Sequence, residues 1–444
     1  DKIDIGDGQT IRQVNVFENH SLYNANLDEN ASEENDVKIN EAFNLALNKK
    51  GPVHINAPFE EPLYQTVAEL SIKPKVITVA EINDNFEIDD STIDIWNSAK
   101  KKLVLIGVNN PNQIDQSVVD FFANDPSVLV MTETISNVHH PTFLNNIDTI
   151  ITPFDENDFK AFQPDLLITL GGMLVSKRIK AFLRNYKPAN HWHIDPLRAY
   201  DTFGCLTNHF KVKPNAFFKK IITNASPIKS DYFDKGQAVK KIREEKQQAC
   251  LETIAFCDLK VFETVLSSLP KNIMLQISNS SAIRYAQLFD IDPSISVFCN
   301  RGTSGIDGST STAIGASVGS NQETILITGD ISFLYDSNAL WNNYIPKNFK
   351  IILVNNGGGG IFRILPGHQE TEVFNRYFET SHCLTAEHLA KMYNFNYKIA
   401  SDSNSLSEGL DFLYAQNDQP TILEIFTPTL ENNKILSEYF KALL

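Results

Sequence analysis

The chain has 444 residues, about three times a typical domain, so two or three domains with ample core are expected. Hydrophobic residues make up 42% and charged residues 21%, which excludes disorder, collagen and coiled coil as the main organisation. Lys plus Arg is 39 against 54 Asp plus Glu, a net charge of −15 that repels phosphate backbones and argues against nucleic-acid binding.

No run of 18 apolar residues occurs, so no membrane span is expected. Five scattered cysteines, with no C-x-x-C pair, read as a reduced cytoplasmic chain without a disulfide framework or structural zinc. The chain opens at Asp1 within what reads as structured sequence, so a piece of a longer protein is expected.

Apolar strand-like runs come at 53–56, 76–79, 103–106, 128–131, 166–170 and 191–194. A second set follows at 273–277, 295–298, 324–328, 351–354 and 422–426. Between them lie amphipathic stretches such as 37–48, 113–123, 261–269 and 386–392. Strands that are nearly continuously apolar and alternate with helices predict doubly wound parallel sheets, the α/β class. Two breaks, the acidic 80–92 and the polar 225–247, divide the chain into 1–85, 90–225 and 245–444. The first part holds too few strands to close a sheet and reads as the remnant of a further domain.

The chemistry concentrates near the end. The run T-I-L-I-T stops at Gly329-Asp330, a helix follows, and K-I-I-L-V then stops at Asn355-Asn356 before four glycines. In an open parallel sheet both strand ends lie at the carboxyl edge, where ligands bind. A carboxylate and an amide oxygen there are hard ligands suited to Mg²⁺, and glycines let the backbone approach a diphosphate. Either piece alone is ordinary loop chemistry; the two together, in strand–helix–strand context, point to a metal–diphosphate site.

This arrangement resembles the motif of thiamine-diphosphate enzymes, with Ile331 where the third residue of the usual G-D-G would be Gly. The block N-R-G-T-S-G-I-D-G (300–308) follows a strand and opens a small-residue helix. It resembles one family closely, the 2-succinyl-5-enolpyruvyl-6-hydroxy-3-cyclohexene-1-carboxylate synthases (MenD) of menaquinone biosynthesis. Segments 6–13, 51–64, 171–178, 278–284, 330–340 and 355–366 agree in order, so the resemblance covers essentially the whole chain.

The resemblance implies a thiamine-diphosphate fold with a Rossmann-like middle domain (90–225), a diphosphate-binding domain (245–444), and a pyrimidine-binding domain largely absent. It implies a transferase that decarboxylates 2-oxoglutarate and adds the succinyl carbanion to isochorismate, working as a homodimer or homotetramer. Asp330, Asn356 and the Gly358 carbonyl would hold Mg²⁺ or Mn²⁺. Gly305, Ile306, Ile331, Ser332 and Ile361 would join them around thiamine diphosphate, Ile306 as the wedge under the bent cofactor. Arg284 and Arg301, with Ser280, would bind substrate carboxylates, for which the rigid guanidinium fork is suited. Lys177, Arg178, Gln9, Phe362 and Leu365 would complete the substrate pocket.

The activating glutamate of the family matches no residue in the sequence. The 444-residue chain by itself is therefore expected to be inactive, and to gain turnover when the N-terminal segment is supplied. Other thiamine-diphosphate enzymes, such as a 2-oxoacid decarboxylase or an acetolactate-synthase-like enzyme, are the competing expectation. An inactive fragment is the other. The pairs His139-His140 and His191-x-His193 lack the carboxylates or cysteines of a metal site, and L-I-T-L-G-G (167–172) lacks a full dinucleotide fingerprint.

Overall fold

The computed structural model describes all residues except Asp1, Asp7, Gln9, 60–63, Ser71, 79–85, Leu365, Pro366 and His368. The chain divides into two compact units, Asp1–Asn85 and Phe86–Leu444.

In the first unit, β1 (Asn24–Asn26) pairs in parallel with β2 (His54–Asn56) across the helix Glu33–Lys49. Ser32 starts that helix by accepting from the Asn35 amide. The strand expected at 76–79 does not form at 76–78, and Val79 lies outside the described residues. Helix side chains take the place of a neighbouring strand: Asn40 accepts from Ile77 N (2.8 Å) and donates to Lys75 O, and Asn44 donates to Ile77 O (both 2.7 Å). The backbone groups are satisfied without a ladder.

The second unit carries two sheets, all of whose pairings are parallel. The first contains β3 (Lys102–Ile106), β4 (Val128–Thr132), β5 (Leu166–Leu170), β6 (Asn190–Ile194) and β7 (Asn208–Phe210), in the order β4-β3-β5-β6-β7. Every residue of β3, β4 and β5 is buried, and apart from Lys102, Thr132 and Thr169 they are apolar, which is why these strands read as nearly continuous apolar runs. Strand order reverses between β3 and β5, where an α/β sheet normally offers a ligand crevice. Here that crevice is zipped shut by backbone. Gly107 donates to Leu170 O and Gly172 to Val108 O at 2.7 Å, and a Cβ on Gly107 would lie 2.0 Å from Gly172 O.

The second sheet contains β8 (Met274–Ile277), β9 (Ser296–Cys299), β10 (Thr324–Gly329), β11 (Phe349–Asn355), β12 (Asn396–Ala400) and β13 (Thr421–Phe426). Its order is β12-β13-β11-β10-β8-β9, so its reversal point lies between β8 and β10. The sheets are joined through Asn137, which adopts a left-handed turn (φ 50°). Its Nδ2 donates to Val297 O (2.9 Å) and its Oδ1 accepts from Val297 N (2.8 Å), tying the first sheet's loops to β9.

The polar stretch 225–247, expected to be a boundary, is largely the helix Tyr232–Leu251. Only Tyr232, Gly236, Arg243 and Leu251 are buried on it, so an apolar stripe is missing from its sequence. Close packing replaces the stripe: a Cβ on Gly236 would lie 2.3 Å from Leu129 Cδ1, and Arg243 donates to the Leu443 carbonyl. Among the described residues no helix is long and apolar enough to cross a membrane, and none of the five cysteines is disulfide-bonded.

Candidate active site

Strand β10 delivers Asp330 to the reversal point as the first residue of the helix Asp330–Tyr335. Its carboxylate is 4% exposed and accepts from Ile331 N through Oδ1 (2.7 Å) and from Gly358 N through Oδ2 (2.9 Å). His382 Nε2 lies 3.3 Å from Oδ2, and the attraction of Asp330 lifts the imidazole above its usual range despite burial. The neighbouring strand β11 ends on two asparagines with different tasks. Asn355 donates to Glu424 Oε1 (2.7 Å) and Leu384 O (2.9 Å), which fastens the strand end. Asn356, 9% exposed, donates through Nδ2 to Asp258 Oδ2 (3.0 Å). Its Oδ1 is buried with no hydrogen-bond partner among the described residues.

A buried amide oxygen without a donor calls for a ligand, because an unmet polar atom costs about 1–3 kcal/mol. Beside it stands a carboxylate, and both are hard oxygen donors of the kind a Mg²⁺ or Mn²⁺ ion takes. These residues therefore fit a metal-bound diphosphate.

The glycine run after Asn356 is shaped by the segment that covers it. Gly357 takes φ +77°, and a Cβ on it would meet Thr429 Oγ1 at 3.0 Å; one on Gly358 would lie 2.8 Å from Glu379 O. Gly359 N donates to the same Glu379 carbonyl at 2.6 Å. Glu379 ends the π-helical turn Phe374–Glu379, whose Tyr377 and Phe378 form an exposed aromatic lip. The cavity it borders is open to solvent on one side and about 420 Å³ in volume.

The block 300–308 is organised by a residue the sequence motif did not single out. Asn279, just past β8, donates to the Asn300 and Gly305 carbonyls (2.6 and 2.7 Å) and accepts from Arg301 Nη1 (2.7 Å). Ser332 Oγ holds the Ile306 carbonyl at 2.6 Å, so the 300–308 turn is fastened to the Asp330 helix. Ser280 follows with φ +68° and ψ −128°, unfavourable for a residue with a Cβ and located on the cavity wall.

Ten of the residues singled out in the sequence thus line one cavity: Ser280, Gly305, Ile306, Asp330, Ile331, Ser332, Asn356, Gly358, Ile361 and Phe362. Gln9 and Leu365 lie outside the described residues. Arg284, Arg301, Lys177 and Arg178 do not border it. Arg284 and Arg301 are half-buried, close enough to repel one another, and each keeps a buried Nε without a partner among the described residues. Burial lowers the Arg284 pKa, and Asp148 and Glu133 oppose that effect. Glu133 accepts from Val175 N and Ser176 N (both 2.7 Å at closest), fixing the turn before the helix Lys177–Asn185. Lys177 and Arg178 are exposed at its start. Arg178 stacks on Phe440 (4.9 Å) and borders a second cleft with Arg363 and Ile364. The short helix Ile361–Ile364 therefore stands between the two spaces, with Phe362 facing one and Arg363 bordering the other.

The reversal-point cavity, the Asp330/Asn356 oxygen pair and the glycine run define a thiamine pyrophosphate enzyme. Residues 280–425 match the thiamine pyrophosphate enzyme C-terminal TPP-binding domain. The chain is 65% identical to a 2-succinyl-5-enolpyruvyl-6-hydroxy-3-cyclohexene-1-carboxylate synthase of Flavobacterium johnsoniae, covering 100% of this chain and 80% of that protein. It is 64% identical to the synthase of Flavobacterium psychrophilum (100% and 80%) and 34% identical to that of Porphyromonas gingivalis (99% and 79%). The chain belongs to this synthase family.

Proposed function

We propose that the protein joins 2-oxoglutarate to isochorismate, with loss of CO2, to give 2-succinyl-5-enolpyruvyl-6-hydroxy-3-cyclohexene-1-carboxylate for menaquinone biosynthesis. The observation that carries this is the partnerless Asn356 oxygen beside Asp330 in a chain of this family. Asp330, Asn356 and the Gly358 carbonyl would hold Mg²⁺ or Mn²⁺ against the cofactor's diphosphate. When bound, thiamine diphosphate supplies the electron sink for decarboxylation.

The chain's own residues bind and orient. Ile306, pinned through its carbonyl by Ser332, serves as the apolar wedge beneath the cofactor. Gly305 and Ile331 flank it, and Ile361 and Phe362 exclude water from the reacting carbon. Arg284 and Arg301 hold substrate carboxylates, a role supported by their half-buried, partnerless Nε donors. Lys177 and Arg178 steer the acidic substrates against a net charge of −15. The exposed aromatics at the cavity mouth, Tyr335, Tyr377 and Phe378, support covering by a second copy in a homodimer or homotetramer. The unpaired cysteines accord with a cytoplasmic site of action.

The test uses the full-length protein with thiamine diphosphate, Mg²⁺, 2-oxoglutarate and isochorismate, read by mass spectrometry, with Arg301→Ala as control. The expected result is the adduct that gains a succinyl unit, and sharply less of it from the control. Release of CO2 without the adduct would move the reading to a 2-oxoacid decarboxylase.

A further inference from the structure

We propose that Asp258 is a positioning residue that turns the Asn356 amide oxygen toward the metal, an inference resting on the metal-site reading above. Asp258 lies 98 residues before Asn356, at the start of the helix Asp258–Ser268, and is 2% exposed. Its backbone N–H is fixed by Asn432 Oδ1 (2.9 Å). One carboxylate oxygen takes the Thr427 hydroxyl (2.5 Å) and the other takes Asn356 Nδ2 (3.0 Å).

A carboxamide can turn half a revolution about its last torsion with almost no change in shape, so sterics do not choose which end faces the cavity. Hydrogen bonding chooses. Both oxygens of Asp258 sit as acceptors, one from the Thr427 hydroxyl and one from Asn356, so the group facing Asp258 is the NH2. The oxygen is then aimed the other way, and it is this oxygen that is buried without a partner. Without Asp258 the amide is free to present its NH2 to the cation, which binds nothing. Such outer-shell partners are worth about 10–100-fold in metal affinity.

The experiment measures Mn²⁺ affinity of the full-length protein at saturating thiamine diphosphate, from the electron paramagnetic resonance signal of free Mn²⁺. Asp258→Ala is expected to weaken binding by about tenfold or more. Asp258→Asn can turn either its oxygen or its NH2 toward Asn356, so it no longer selects the amide orientation and is expected to fall between wild type and Asp258→Ala. In an Asn356→Ala background, Asp258→Ala is expected to add nothing further. Wild-type affinity in Asp258→Ala, wild-type affinity in Asp258→Asn, or an undiminished loss in the Asn356→Ala background would each overturn the inference. Wild-type affinity in Asn356→Ala would instead sink the metal-site reading itself. Should Asp258→Ala fail to fold by circular dichroism, the exchange Asp258→Asn with Asn356→Asp decides. It is expected to bind Mn²⁺ more tightly than Asn356→Asp alone, whose two carboxylates face each other; no difference overturns the inference.

Discussion

Arg363 and Glu379 form a two-pronged ion pair at the base of the cavity lip. Arg363 is 7% exposed and Glu379 is 1% exposed. Nε meets Oε1, Nη2 lies 2.6 Å from Oε2, and Ser381 Oγ adds a third donor at 2.9 Å. The guanidinium also lies over Phe374, 5.4 Å from the ring centre. The pair binds the short helix that carries Ile361 and Phe362 to the segment that roofs the glycine run.

Breaking this pair by removing Glu379 leaves the buried Arg363 with only the exposed Glu370, 3.6 Å away, as a counter-charge among the described residues. Glu379→Ala is therefore expected to destabilise the protein by about 3–5 kcal/mol in urea denaturation. Removing both charges with Arg363→Met and Glu379→Leu should cost much less than the single change, because no lone charge remains. A double variant as unstable as Glu379→Ala would show that the pair itself, not the orphaned Arg363, carries the cost.

Gly358 donates its N–H to Asp330 while passing within contact distance of the Glu379 carbonyl. A methyl group has no space at 2.8 Å from a backbone oxygen that is itself tied to Gly359. Gly358→Ala is expected to displace the strand-end loop and weaken thiamine diphosphate binding by about tenfold or more in isothermal calorimetry, with the circular dichroism spectrum unchanged.

Arg284 sits outside the cofactor cavity, so its loss separates substrate binding from cofactor binding. A hydrogen bond between charged groups is worth about 1.5–3 kcal/mol. Arg284→Ala should accordingly raise the KM of an acidic substrate by roughly 10–100-fold. Thiamine diphosphate affinity should stay at the wild-type value. A parallel loss of both would assign Arg284 to the fold instead.

The first sheet of the second unit makes a pH prediction. His191 is buried, with its Nε2 2.9 Å from Thr169 Oγ1, and burial pushes its pKa down to about 4. His193, which shares that hydroxyl at 2.8 Å, is also lowered by burial. An unfolded histidine titrates at roughly 6.5, so between these values the unfolded chain binds more protons than the folded one. Stability is thus complete above that window and falls as pH drops through it. The His191 contribution is about 2 kcal/mol between pH 7 and pH 5. Urea midpoints across this range should fall less steeply in His191→Gln than in the wild type.

Much of this protein is legible in the order of its residues, and the reason is local. A strand buried on both faces needs a nearly continuous apolar run, which β3, β5 and β10 have, and such runs announce parallel sheets before any partner is known. Gly329-Asp330 and Asn355-Asn356 could be read as a site because each sits directly after its own strand, so chain position alone brings both to the carboxyl edge.

What the tertiary structure decided is everything that depends on a partner distant in the chain. The run 76–78 is apolar enough for a strand, yet Asn40 and Asn44 take its backbone groups. The helix Tyr232–Leu251 looks like a polar boundary because it packs through a glycine and a buried arginine, which no hydrophobic period records. Lys177 and Arg178 read as part of the substrate pocket, and the helix Ile361–Ile364 stands between Arg178 and the cofactor cavity. Asp258 and Glu379 lie in none of the matching segments, and Asn279 lies in 278–284 without being singled out there. Burial and hydrogen-bond geometry alone aim one at Asn356, one at Arg301 and one at Arg363, and those pairings exist only once the sheet has brought the strand ends together.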